Sequence, residues 1–208
     1  MLESPVNKYF EKVLSLIKDQ GKRSKVAEIL RTISVENFQK SASSSNKYHP
    51  KFAQGDRGLG RHTKAVISFS ADMCTAFPEL DYDSMIISAL MHDLKKYKEG
   101  AGHTNKEHAE TIADLLESKG LSDEARMTRS HMGQWGKTSP SQFDEKMLHL
   151  ADYLASRTYI SIDWDENDNI IEENSDARRL VNKFDDLLNQ NARHKYEQDF
   201  LEGKNEGF

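Results

Sequence analysis

A single cysteine, Cys74, excludes any disulfide within the chain and suits a reducing compartment, so the sequence predicts a cytoplasmic protein. No apolar run approaches the ~20 residues needed to cross a bilayer. The first residues lack the apolar stretch of a secretory signal. An excess of positive charge is also missing. A formal net charge of -5 argues against broad binding to polyanions such as nucleic acid. There is no Ser/His/Asp set and no P-loop, and Cys74, read as a small buried apolar residue, is no obvious nucleophile. No internal repeat is visible. The run Asp165-Glu166-Asn167-Asp168-Asn169 lacks the spaced glycine and terminal glutamate of a calcium loop and reads as a turn.

What is present predicts one compact domain: 208 residues, 37% hydrophobic, with a mean hydropathy of -0.76. Tyr9, Phe10, Val13, Leu14, Leu16 and Ile17 have the spacing of an amphipathic helix, which Gly21 is expected to end. A second helix runs through Val26, Ile29, Leu30 and Ile33. The serine-rich stretch 41–46 is a break, and 48–60 a loop. Helices are then expected over 62–76, 83–96, 105–119, 122–133 and 142–157. Tyr159 to Trp164 alternate at period two, 165–169 turn, and Ile170-Ile171 begin a return, which together predict a small hairpin outside the helical core. A last helix over about 176–191 and a polar tail from Glu197 complete the chain. The expected organisation is an N-terminal helical segment (1–47), a core (48–160), and a hairpin with a final helix completing the same domain (161–208).

The most informative feature is the doublet His92-Asp93, set after the apolar stretch Met85 to Met91. His62 precedes it, and His108, His131 and Asp152 follow. Asp93 and Asp152 both sit among apolar residues, where a carboxylate is costly to bury unless it is paired or bound to a metal. Convergence of these six residues on a cation would account for both. Imidazole with carboxylate is a donor set for Mn, Fe, Co, Ni or Zn. Read singly, His62 could simply begin a helix, and His92, on an apolar helix face, reads as a hydrogen-bonded core imidazole.

The surroundings of the series resemble the HD-domain superfamily of metal-dependent phosphohydrolases over roughly residues 50 to 160. Gly58-Leu59-Gly60-Arg61-His62-Thr63-Lys64-Ala65-Val66 is similar to the opening element of that family. Ala89-Leu90-Met91-His92-Asp93-Leu94-Lys95-Lys96 resembles its doublet element, and His108-Ala109-Glu110 its third. Ser130-His131-Met132-Gly133 and Leu150-Ala151-Asp152-Tyr153-Leu154-Ala155-Ser156-Arg157 resemble the last two. Each piece is weak alone; five in order are specific. The resemblance implies an all-α fold, an HD-domain helical bundle, with the hairpin after its core. It implies that His62, His92, Asp93 and Asp152 bind one divalent metal. Having both His108 and His131 implies a second, with Asp93 bridging, and it gives Lys96 a place facing the substrate phosphate or attacking water.

The expected activity is hydrolysis of a phosphomonoester or phosphodiester, of a nucleotide, by metal-activated water with Asp93 and Lys96 as catalytic residues. Arg57 and Arg61, with Lys64 nearby, are candidate phosphate contacts. Trp135 reads equally as a platform for a base or a cap on the core. His103 reads as a ligand, a substrate contact or a solvated loop residue. His49, His149 and His194 read as structural or exposed, although His149, three residues before Asp152, is placed to support it. Two other classes remain: a di-iron oxygenase using the same ligands, and a non-catalytic module that senses a nucleotide. The oligomeric state stays open.

Overall fold

A computed structural model describes residues 4–43, 49–97, 105 and 107–171. Eight α-helices occur among them. Near the N-terminus they are α1 (Pro5–Tyr9), α2 (Glu11–Leu16) and α3 (Gln20–Arg31). The bundle that follows comprises α4 (Gly58–Ala76), α5 (Tyr82–Met91), α6 (His108–Ser118), α7 (Ser122–Ser130) and α8 (Phe143–Ala155). The fold is all-α, and no β-strand forms among the described residues. None of the described helices is long and apolar enough to cross a membrane.

α5 is the central element because it is apolar all round: every residue from Ser84 to Met91 is buried. It packs against α2, α4, α7 and α8. Its start is set by Asp81, which accepts from Ser84 N at 2.7 Å and caps the free N–H groups of the first turn. The helix stops at Met91, several residues before the expected end at 96. His92 is its C-cap and Asp93 lies in the turn beyond. The doublet is therefore delivered by a helix end anchored in the core.

Polar clips fix the helices around α5. Glu124 of α7, buried, accepts from Ser84 Oγ at 2.9 Å and pairs with Lys22 of α3 at 2.7 Å. Arg126 of α7 pairs with Asp144 at 2.7 Å and Glu145 at 3.0 Å, tying the helix before His131 to the one carrying Asp152. A capping box of Gln142 and Glu145 starts α8.

Two expectations for regular elements change. The N-terminal amphipathic stretch is two short helices, and Gly21 lies inside α3 rather than ending its predecessor. Asp83 explains the break between α2 and α3: its carboxylate accepts from the backbone N–H of Lys18 and Asp19, which turns the chain, and Asp19 then caps α3. The expected hairpin reduces to one antiparallel bridge, Trp164 with Ile170. Ile160 and Ile162 are buried against the helical core. The period-two pattern thus records an extended segment lying on a bundle, with no strand paired to it. The final helix expected over 176–191, the tail, His103 and His194 lie outside the described residues.

Candidate metal centre

The six side chains of the series converge. His62 comes from the second turn of α4, His92 and Asp93 from the end of α5, and His108 from the start of α6. His131 caps α7, and Asp152 sits in the last turn of α8. They divide into two triads, His62/His92/Asp152 and Asp93/His108/His131, each with donor atoms within 4.8 Å of one another. His62 Nε2 lies 3.1 Å from Asp152 Oδ1 and 3.4 Å from His92 Nε2. In the other half, Asp93 Oδ1 is 3.0 Å from His108 Nε2 and 3.7 Å from His131 Nε2. Asp93 Oδ2 faces the first half instead, 3.5 Å from His92 Nε2 and 3.9 Å from His62 Nε2. One carboxylate thus stands between the two triads with an oxygen toward each.

Hydrogen bonding fixes which atoms point inward. His92, His108 and His131 donate through Nδ1 to the carbonyls of Ala89, Asn105 and Thr128, at 2.7, 2.8 and 2.6 Å. A carbonyl only accepts, so each neutral ring carries its proton on Nδ1 and turns the Nε2 lone pair inward. The result is one pair of facing acceptors, His108 with His131, 3.4 Å apart, while His92 Nε2 faces His62 Nε2 at the same distance and no partner among the described residues reaches His62 Nδ1. Among the described residues, no hydrogen bond reaches the buried Asp93 Oδ1. A proton shared within each imidazole pair leaves that oxygen without a donor. A divalent cation in each half meets all the inward atoms, so the residues present fit the group.

The electrostatics agree. Burial pushes the Asp93 carboxyl up, but Lys96 and the histidines around it prevail and hold it well below the usual carboxylate range. Asp152 is likewise lowered against its burial, by His62 and His92. Burial lowers His62 and His131, keeping both neutral and able to ligate at pH 7, whereas at His92 burial is outweighed by Asp93 and Asp152, which raise it. Lys96 Nζ donates to Asp93 Oδ2, and burial is outweighed there by the two carboxylates, which raise the lysine.

Above the centre opens a cavity of about 540 Å³, lined among others by His49, Lys96, Trp135, His149, Tyr153 and Arg157. Trp135 lies on this wall and is 65% exposed. Arg57 and Arg61 do not line it. Arg57 projects from a backbone with φ +58, and both guanidinium groups pair with Asp168, at 2.9 and 3.2 Å. Arg157 does line the cavity, with its guanidinium 3.9 Å from the centroid of the Tyr153 ring. No carboxylate among the described residues pairs with it. His149, Asp152, Tyr153 and Ser156 lie at helical spacing on α8, so one stripe supplies a ligand and much of the wall. That stripe was available in the sequence once Asp152 was taken as inward. His49, from a loop, carried no such signal; its ring packs edge-on against His62, with centroids 5.1 Å apart.

Residues 59–157 match the family model of the HD domain. No curated protein and no solved structure matches the chain.

Proposed function

As the chain belongs to the HD-domain superfamily, most of whose members are metal-dependent phosphohydrolases, we propose that it hydrolyses a phosphomonoester or phosphodiester bond of a nucleotide. The observation that carries this is the pair of facing triads with the Asp93 carboxylate between them. Two divalent cations held there would supply Lewis acidity for the phosphoryl group and lower the pKa of an attacking water. The protein's own part is orientation. Asp93 sets the two halves at a fixed separation, and the backbone carbonyls behind His92, His108 and His131 fix the rings. Lys96, half-buried beside Asp93, offers positive charge to a phosphoryl oxygen at the cavity floor. Trp135 and Tyr153 give the mouth an aromatic wall suited to a base, and Arg157 gives it a guanidinium. A single cysteine suits the cytoplasm as its compartment.

The donor set also suits iron, which keeps an oxygenase as the second reading. Metal analysis of protein purified without chelator, paired with phosphate-release assays on nucleotides with and without oxygen, decides between them. Two ions per chain with oxygen-independent phosphate release is the expected result. Two irons with product only in air would favour the oxygenase. Nucleotide-induced stabilisation without turnover would favour a sensor, and no metal at all would remove the ligand assignment.

A further inference from the structure

His149 does more than line the cavity. Its Nδ1 donates to the carbonyl of His131 at 2.7 Å. That carbonyl sits at the C-terminal end of α7, where backbone oxygens run out of partners within the helix and depend on groups from outside. Directly beyond, the chain turns at Gly133 with φ +56. A side-chain carbon at Gly133 would lie 2.5 Å from His149 Cε1 and 2.9 Å from Nε2. The imidazole is therefore held from two sides, by a hydrogen bond to residue 131 and by contact with a backbone that only glycine leaves open. His131 is thereby gripped at both ends: its ring by Thr128 O, its carbonyl by His149.

We propose that His149 is the positioning residue for the His108–His131 half of the metal centre. By holding the His131 carbonyl it sets the direction from which His131 Nε2 enters the site, and Gly133 is the slot that admits the ring. The same contact fixes the start of the Gly133–Trp135 turn, so one ring aligns a metal ligand and the cavity wall together. This rests on the two-ion reading above.

The test is metal titration of the full chain with Co²⁺ or Zn²⁺, followed by equilibrium dialysis and elemental analysis. Wild type takes two equivalents. His149→Ala weakens one of them by about 10- to 100-fold, the usual loss when the partner orienting a ligand is removed, and leaves the other unchanged. His149→Asn, whose amide N–H stands close to the place of Nδ1, recovers much of the lost affinity. His149→Leu, which fills the volume without a donor, does not. Gly133→Ala displaces the ring and reproduces the selective loss. Should His149→Ala fail to fold, the Asn and Leu variants still decide. Two equivalents at wild-type affinity in His149→Ala, or equal behaviour of Asn and Leu, overturns the proposal alone. A wild-type protein that takes one equivalent overturns the two-ion reading and the proposal with it.

Discussion

Asp93 and Asp168 are buried alike, at 2% and 3% exposure, yet they have opposite surroundings. Asp168 is saturated with donors: Arg61 on one oxygen, Arg57 and the Tyr9 hydroxyl on the other. Lys64 Nζ closes the arrangement by donating to the Asp168 carbonyl at 2.8 Å. Asp93 has one cation, Lys96, on one oxygen, and its other oxygen faces imidazole nitrogens that are acceptors in their neutral form. Burial alone does not separate a structural anchor from a ligand. The count of donors around the carboxylate does, because a buried anion short of donors implies something positive from outside the chain.

The comparison predicts that removing each aspartate fails in a different way. Asp93→Ala should lose bound metal and lower phosphoester turnover by about 10³-fold or more, since it takes away the group between both halves. Metal analysis and turnover measured on the same sample check it, and wild-type activity in that variant would sink the mechanism. Asp168→Asn should leave metal content intact and cost stability instead. Breaking a buried pair costs ~3–5 kcal/mol, and the partial exposure of Arg57 reduces this to about 2–3 kcal/mol. At about 2–4 °C per kcal/mol, the unfolding midpoint falls by roughly 5–10 °C. A loss of metal with unchanged stability would reverse the assignment of the two residues.

Smaller effects sharpen the contrast. Lys96→Ala removes the lysine that donates to Asp93 and should lower kcat by roughly 10- to 100-fold with metal still bound, read as turnover per bound ion. Cys74 is a third case, an acid whose surroundings disfavour its charged form. Burial, with Asp81 nearby, pushes its thiol up to about 11. A raised thiol pKa leaves little thiolate below it, so alkylation at pH 8 should be roughly 10²-fold slower than for a free thiol. It should then rise about tenfold per pH unit until pH approaches 11. Fast labelling at pH 8 would show the site to be more open than its half-buried position implies.

The convergence of the six side chains was legible because its cost is written in the sequence: Asp93 and Asp152 stand among apolar neighbours, where a charge is costly unless something offsets it. The helical bundle was legible for the same reason, through apolar spacing. Arg57 and Arg61 were harder. They adjoin His62 in sequence, but their partner, Asp168, lies more than a hundred positions later, and the left-handed backbone at Arg57 turns its side chain outward. His49 reaches the cavity through tertiary packing that no local pattern encodes, whereas Arg157, four residues after Tyr153, follows the α8 stripe. The return strand failed differently: alternation reports which faces are buried, and it is silent about whether a strand or a helix does the burying.

The spacing of the six inward side chains along the chain has a consequence for how the protein lives and dies. They are drawn from positions 62 to 152, so a cation bound among them is also a cross-link between segments that would otherwise drift apart on unfolding. Ligand bound only to the native state adds about 2.7 kcal/mol when present at a hundred times its dissociation constant. That is a large share of the 5–15 kcal/mol by which a folded domain exceeds its unfolded chain. Resistance to proteolysis would therefore track the supply of metal, and a cell short of it would lose the protein itself as well as its turnover.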